Sequence, residues 1–344
     1  MLFRTLASRC SSGVASALPR RFFATQIEDD AVKAAALKRN NRILALALGA
    51  AALTTGGLFY ANYFSQRDAK KQQEEKRKQR LLAEPVPALN ADAFTPFKLK
   101  EVIPINYNTS TFRFELPEGT TELGLPVASA VVTKFVRGTK PDGKPDTVIR
   151  LYTPIETPGA ETFDLVVKKY TNGPMSTHIF NLKPGDSLDL KGPIKKFEYK
   201  ANQFEKIGLI AGGTGLTPMI QLIQKVINNP EDKTKLSLVF ANVSETDIIF
   251  RSYLDSLAAA YPEKLSVYYV LDRPPAKWNG GSGYINTDHI KAHMPAPGAG
   301  KVFICGPNPM LAHLSGIKAP DYTQGPISGL LKDLGYTEAD VFKF

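Results

Sequence analysis

The sequence predicts a β + α/β architecture: an N-terminal transmembrane helix, an antiparallel β-barrel, and a parallel sheet of nucleotide-binding type. Three observations carry that reading. Ile43 to Gln66 is a run of 24 uncharged residues between Arg42 and Arg67. Between residues 90 and 203, short β-rich runs alternate with Gly and Pro, the punctuation of a small barrel. After Phe204 the rhythm becomes strand, Gly-rich turn, helix and strand, as in a doubly wound parallel sheet.

Residues 1–40 are expected to be a mitochondrial presequence. They open with Arg4, Arg9, Arg20, Arg21 and several serines, and no acid precedes Glu28; import machinery reads such a basic, acid-poor amphipathic segment. A disordered tail is the rival, and no continuous apolar run follows the arginines to suggest a secretory signal. Residues 41–66 are expected to be a single membrane anchor, long enough to span at about 1.5 Å per residue. Phe59, Tyr60, Tyr63 and Phe64 gather at one end, as suits a membrane interface. The rival is a buried amphipathic helix, and basic flanks on both sides leave orientation open. Residues 67–89, beginning RDAKKQQEEKRKQR, form a charged stalk or linker, helical until Pro85 and Pro87 stop it.

The formal charge of +10 does not imply nucleic acid. Residues 1–83 hold 15 Lys and Arg against 6 acids, leaving 28 against 27 for the rest. A phosphate-binding domain keeps a basic excess of its own, so no nucleic-acid partner is expected. Only Cys10 and Cys305 occur, which excludes a disulfide framework and a cysteine-ligated iron–sulfur cluster. A redox centre here has to be organic. His289 and His293 have helical spacing, but no motif completes a metal site, and none is expected.

In the first half (90–203), strands are predicted at Lys98–Ile103, Thr111–Leu116, Ala128–Val136, Thr147–Tyr152, Phe163–Tyr170 and Ser187–Lys191. In the second half (204–344), the expectation is a strand at Lys206–Ile210, a helix over 217–228, a strand at Leu236–Ala241, a helix over 250–260 and a strand at Ser266–Leu271. The densest motif is Gly208-Leu-Ile-Ala-Gly-Gly-Thr-Gly-Leu-Thr-Pro218. An apolar strand runs into Gly212, Gly213, Thr214 and Gly215. Pro218 falls in the first helical turn, where its missing N–H costs little. Amides at such a helix start can hold phosphate or approach a planar cofactor.

Three further segments accompany it: Arg150-Leu-Tyr-Thr-Pro-Ile155, Gly173-Pro-Met-Ser176 and Cys305-Gly-Pro-Asn-Pro-Met310, with Val341-Phe-Lys-Phe344 at the end. In this order and spacing, from about residue 95 onward, the chain resembles the ferredoxin–NADP reductase superfamily, and within it the NADH-cytochrome b5 reductases. With the presequence and anchor added, it resembles their fungal mitochondrial form. The resemblance implies an FAD-binding barrel and an NADH-binding sheet, with FAD held non-covalently. On the FAD side it implies Arg150 at the pyrophosphate, a match for a guanidinium fork. Leu151 and Tyr152 would lie beside the isoalloxazine, and the Thr153 hydroxyl at N5. Val166 and Lys168 would line the flavin and its ribityl chain, Gly173, Met175 and Ser176 would hold the pyrophosphate, and Thr217 would make a further flavin contact. On the NADH side it implies Gly212, Gly213, Thr214, Gly215, Cys305, Gly306, Pro307 and Met310, with Asp272 disfavouring a 2′-phosphate. Phe344 would stand near the flavin. Tyr152, Thr153 and Cys305 would be the catalytic positions, Cys305 by packing rather than as a nucleophile.

Two positions depart from the family pattern: Leu151 stands where Pro is usual, and Pro174 where Lys or Arg is common. The second removes a charge that could pair with pyrophosphate. The implied activity is hydride transfer from NADH to FAD, then single electrons to cytochrome b5 or a similar haem protein, which Lys168 and Lys196 could meet electrostatically. A quinone or ferric acceptor, or a membrane tether without flavin, are the other readings. The expected setting is the mitochondrial outer membrane, as a single-pass monomer, with a possible shorter form in the intermembrane space.

Overall fold

The computed structural model describes residues 55–156 and 159–344. The presequence and most of the anchor segment lie outside the described residues. Helix α1 (Thr55–Leu82) runs unbroken from the last part of that segment through the charged stretch, and among the described residues no helix is long and apolar enough to cross a membrane. The chain divides into two units, residues 1–74 and 75–344, and every strand among the described residues belongs to the second.

From Val86 the chain is no free linker. Ala88 and Leu89 donate to the carbonyls of Glu122 and Leu123 and are buried in the core of the first half. Seven antiparallel strands follow: β1 (Thr95–Pro104), β2 (Thr109–Glu115), β3 (Ser129–Thr139), β4 (Pro145–Tyr152), β5 (Ile155–Glu156), β6 (Thr162–Lys168) and β7 (Ser187–Lys195). Their order is β4-β3-β7-β1-β2-β6-β5. In β1, Phe97 and Leu99 point inward while Lys98 and Lys100 face solvent, the period-two pattern of a half-buried strand. Val131 and Val148 from one end of the sheet share a core with Leu165 and Val167 from the other, so the sheet is rolled. The expected barrel is therefore an open one: among the described residues β4 and β5 are edge strands without a closing ladder. Phe97 meets the edge of Phe163 at 5.3 Å and 87°, a favoured aromatic geometry.

Between β6 and β7 lies α2 (Pro174–Asn181). The second half is a six-stranded parallel sheet, ordered β11-β10-β9-β8-β12-β13. It comprises β8 (Lys206–Gly212), β9 (Lys235–Asn242), β10 (Leu265–Leu271), β11 (Gly281–Ser282), β12 (Lys301–Cys305) and β13 (Val341–Lys343). The helices are α3 (Leu216–Ile227), α4 (Arg251–Ala260), α5 (Thr287–His293), α6 (Asn308–Leu314) and α7 (Gly329–Asp333). The order reverses at β8: β9 and β10 extend to one side, β12 and β13 to the other. A crevice opens at the carboxyl ends of strands at such a switch point.

Two features join the halves. Val166 and Ala128 belong to the same apolar cluster as α3 and β8, so β6 packs on both faces. Gln221, 8% exposed, donates from Nε2 to the Pro154 carbonyl at 2.8 Å and accepts from the Ser129 N–H at 3.2 Å. The connecting segment is pinned by Tyr199, whose hydroxyl donates to buried Asp232 at 2.7 Å.

Candidate functional site

At the switch point, Gly212 is in register with Ala241, and Cys305 with Ala211, which sets two turns side by side. Gly215 is required there by space: a Cβ would lie 2.3 Å from the Cys305 carbonyl oxygen and 2.9 Å from the Gly306 nitrogen. Gly213 has φ +54, a left-handed conformation that L side chains rarely adopt. The 3-10 turn Gly213–Gly215 leads into α3.

In front of these turns lies a cavity of about 720 Å³ whose other wall is the barrel half. The barrel contributes Leu151, Tyr152 and Thr153 from the end of β4, and Val166, Lys168 and Tyr170 from β6 and beyond it. The sheet contributes Gly212, Gly213, Thr214, Gly215 and Thr217, then Asp272, then Cys305, Gly306, Pro307 and Met310. A dozen or more residues that the motifs single out thus surround one space. Cavities of about 300–1,000 Å³ hold ligands of cofactor size. The crevice would admit a planar ring between the Tyr152 strand and the glycine turn, so the residues present fit a flavin and a nicotinamide.

Five singled-out residues do not line the cavity. Arg150 is exposed on β4, donates Nη1 to the Ile149 carbonyl at 2.7 Å, and has no carboxylate within 4 Å among the described residues. Gly173 is the N-cap of α2, so the motif is a helix start with Pro174 in its first turn. Met175 is 1% exposed inside the barrel core. The Ser176 hydroxyl turns back, donating to Gly173 O at 3.0 Å and accepting from Tyr170 N–H at 3.2 Å. What this segment offers a ligand is backbone N–H rather than side chains. Phe344 stacks on Phe303 with centroids 5.8 Å apart and donates its N–H to Ile304 O.

Burial pushes the Tyr152 hydroxyl up to about 12, helped by nearby Tyr170, so it stays protonated at neutral pH. Burial likewise pushes the Cys305 thiol up to about 12, with Lys318 pulling weakly the other way. A thiol is nucleophilic only as thiolate, which sets Cys305 apart from reactive cysteines. Its raised value adds stability below the ordinary thiol range, and that contribution is lost as pH rises through the folded value. Iodoacetamide at pH 8 is expected to label the Cys305 peptide at least about a hundredfold more slowly than free cysteine. Labelling at the free rate, followed by peptide mapping, would show an ionised thiol instead.

Sequence reasoning missed Asn242, Val243, Asp247, Gly283, Tyr284, Ile285 and His313, all of which line the cavity. Asn242 ends β9 and Asp247 lies just beyond it, a position the switch-point rule flags. β11 is two residues long and gives no periodicity to find, so Gly283 to Ile285 had no signal. His313 approaches the Ile285 carbonyl at 3.0 Å through Nε2.

Comparison with known proteins agrees with this geometry. Residues 96–199 match the family model described as an oxidoreductase FAD-binding domain, and residues 209–315 that of an oxidoreductase NAD-binding domain. The fold and the crevice therefore define an FAD- and NAD-dependent oxidoreductase of ferredoxin reductase type. An Arabidopsis thaliana NADH-cytochrome b5 reductase-like protein is 47% identical over 262 residues, covering 76% of this chain and 79% of the relative. The NADH-cytochrome b5 reductase 2 of Neurospora crassa is 47% identical over 250 residues, 72% of each chain. Among solved structures, the cytochrome b5 reductase domain of Ulva prolifera nitrate reductase superposes with a TM-score of 0.64 at 31% identity, over 75% of this chain and 100% of that one. The chain belongs to the NADH-cytochrome b5 reductase family.

Proposed function

We propose that this protein takes hydride from NADH onto bound FAD and passes electrons singly to cytochrome b5. The observation that carries the reading is the shared cavity, which brings the Leu151–Thr153 strand end against the Gly212–Gly215 and Cys305–Pro307 turns. FAD supplies hydride acceptance and one-electron release, chemistry that belongs to the cofactor while the protein binds and orients. Arg150, with no competing carboxylate, and the free amides at the start of α2 would bind its pyrophosphate. Tyr152 would lie against the ring, and the Thr153 hydroxyl would reach N5. Gly213 and Gly215 would let a second ring approach, and Cys305, Gly306 and Pro307 would stand against it on the side facing Thr153. Asp272, exposed at the end of β10, would accept from the ribose hydroxyl and repel a 2′-phosphate.

The purified protein should be yellow, and anaerobic NADH should bleach it faster than NADPH. A colourless protein that FAD cannot reconstitute would sink this reading, and turnover with a quinone or ferric chelate but not cytochrome b5 would reassign the acceptor. The basic N-terminal segment and the uncharged run Ile43–Gln66 support anchoring at a mitochondrial membrane; we propose the outer one, with a shorter form in the intermembrane space, and a monomer. A purely matrix pool on fractionation would exclude that placement, and an oligomer by sedimentation would exclude the monomer.

A further inference from the structure

The carboxylate of Asp247 stands where three elements meet at the rim of the cavity. It is 6% exposed and closes the 3-10 turn Glu245–Asp247 after β9. Its Oδ2 accepts from the Ser244 hydroxyl at 2.6 Å and the Ser244 N–H at 3.0 Å. Its Oδ1 accepts from the Tyr107 hydroxyl at 2.9 Å. Tyr107 lies in the β1–β2 turn, so that bond fastens the barrel half to the sheet half, and Asn106 Nδ2 adds a bond to Thr246 O at 3.2 Å.

The third element is the end of β6. Lys168 and Asp247 both line the cavity and attract each other. Yet no carboxylate comes within 4 Å of the Lys168 ammonium among the described residues. Burial alone would push the Asp247 carboxyl up, but the Ser244 and Tyr107 hydrogen bonds and the Lys168 charge outweigh it and hold it below the ordinary range. Asp247 is thus ionised at neutral pH, with Ser244 donating twice to Oδ2 and Tyr107 once to Oδ1. It draws Lys168 without capturing it. Lys168 is the one Lys or Arg that lines the cavity among the described residues.

We propose that Asp247 is a positioning residue for the reaction: through Tyr107 it sets the width of the crevice, and through its charge it aims the Lys168 ammonium at the pyrophosphate of the incoming dinucleotide. A cation held in place before the ligand arrives loses less freedom on binding. This rests on reading the cavity as the NADH site. A carboxylate that merely faced the dinucleotide would repel it, so the two roles differ in sign.

The test is a double-mutant cycle on the full-length holoenzyme. Asp247→Asn should raise KM for NADH about fivefold with kcat changed less than about twofold, and Tyr107→Phe should raise KM about twofold. In a Lys168→Met background, which itself raises KM, Asp247→Asn should add no more than the Tyr107→Phe effect. Flavin content and melting temperature verify folding, and Tyr107→Phe, which keeps the exposed ring and removes the one hydroxyl that donates to Asp247 Oδ1, carries the test if Asp247→Asn does not fold. A fall in KM on Asp247→Asn, the same increment in both backgrounds, or no effect of Lys168→Met would overturn the proposal. Each of those outcomes leaves wild-type bleaching by NADH intact, whereas failure of that bleaching would instead remove the reading of the cavity.

Discussion

Gly215→Val is expected to lower the rate of flavin reduction by NADH about a hundredfold. The added Cβ would fall 2.3 Å from the Cys305 oxygen and 2.6 Å from its carbonyl carbon. Both are backbone atoms held in β12, so no rotamer relieves the clash and the two turns must separate. A displacement of about 1 Å between groups that orient a reaction can cost on the order of a hundredfold. Separating packed turns should also cost about 3 kcal/mol of stability. Gly138→Ala is the control, since a Cβ there meets nothing within 4 Å; it should change stability by less than about 0.5 kcal/mol. Stopped-flow bleaching and urea unfolding read the two effects. A Gly215→Val protein that matched wild type would mean the turns can part freely.

Gln221→Leu is the second large effect, and it acts from behind the cavity. The substitution leaves the Ser129 N–H and the Pro154 carbonyl buried without partners, and each such group costs about 1–3 kcal/mol. The better packing of Leu offsets part of this, so a net loss of about 3 kcal/mol is expected. Because Pro154 follows Thr153, loosening it should also weaken flavin retention. Trp278 is the single tryptophan, so its fluorescence reports unfolding of the sheet half while circular dichroism reports both halves. A loss below about 1 kcal/mol would show that the Gln221 bonds are replaceable by water.

How much of this was legible depended on whether the signal was local. The strands at Lys98–Ile103 and Lys206–Ile210 lie inside the observed Thr95–Pro104 and Lys206–Gly212, because alternation and continuous apolar runs are properties of adjacent residues. The helix expected over 217–228 forms at Leu216–Ile227, since a Gly-rich turn and an early proline mark its start. The segment Gly173–Ser176 was singled out by resemblance as holding the pyrophosphate with its side chains as well as its backbone, yet proline at the first helical position begins a helix. That change turned Met175 into the barrel core and left backbone as the segment's only offering. Tyr152 and Thr153, which line the cavity, were singled out by motif. Asp247 was not, since its hydrogen bond to Tyr107 spans 140 positions and leaves no mark on either neighbourhood. Residues 86–89 read as linker because their pairing with Glu122 and Leu123 is equally remote.

The walls of the cavity come from segments scattered between Leu151 and Leu314, and this governs how the cell keeps the protein. A chain missing any of these segments offers no complete pocket, so the cofactors recognise only the finished fold. A ligand that binds the folded state alone stabilises it by about 1.4 kcal/mol for each tenfold excess over its dissociation constant. Chains that open transiently are removed by proteases in proportion to how often they open. Riboflavin supply, through FAD, is therefore expected to set how much of this protein survives, so that starvation for the vitamin should shorten its half-life before it changes the turnover of the molecules that remain.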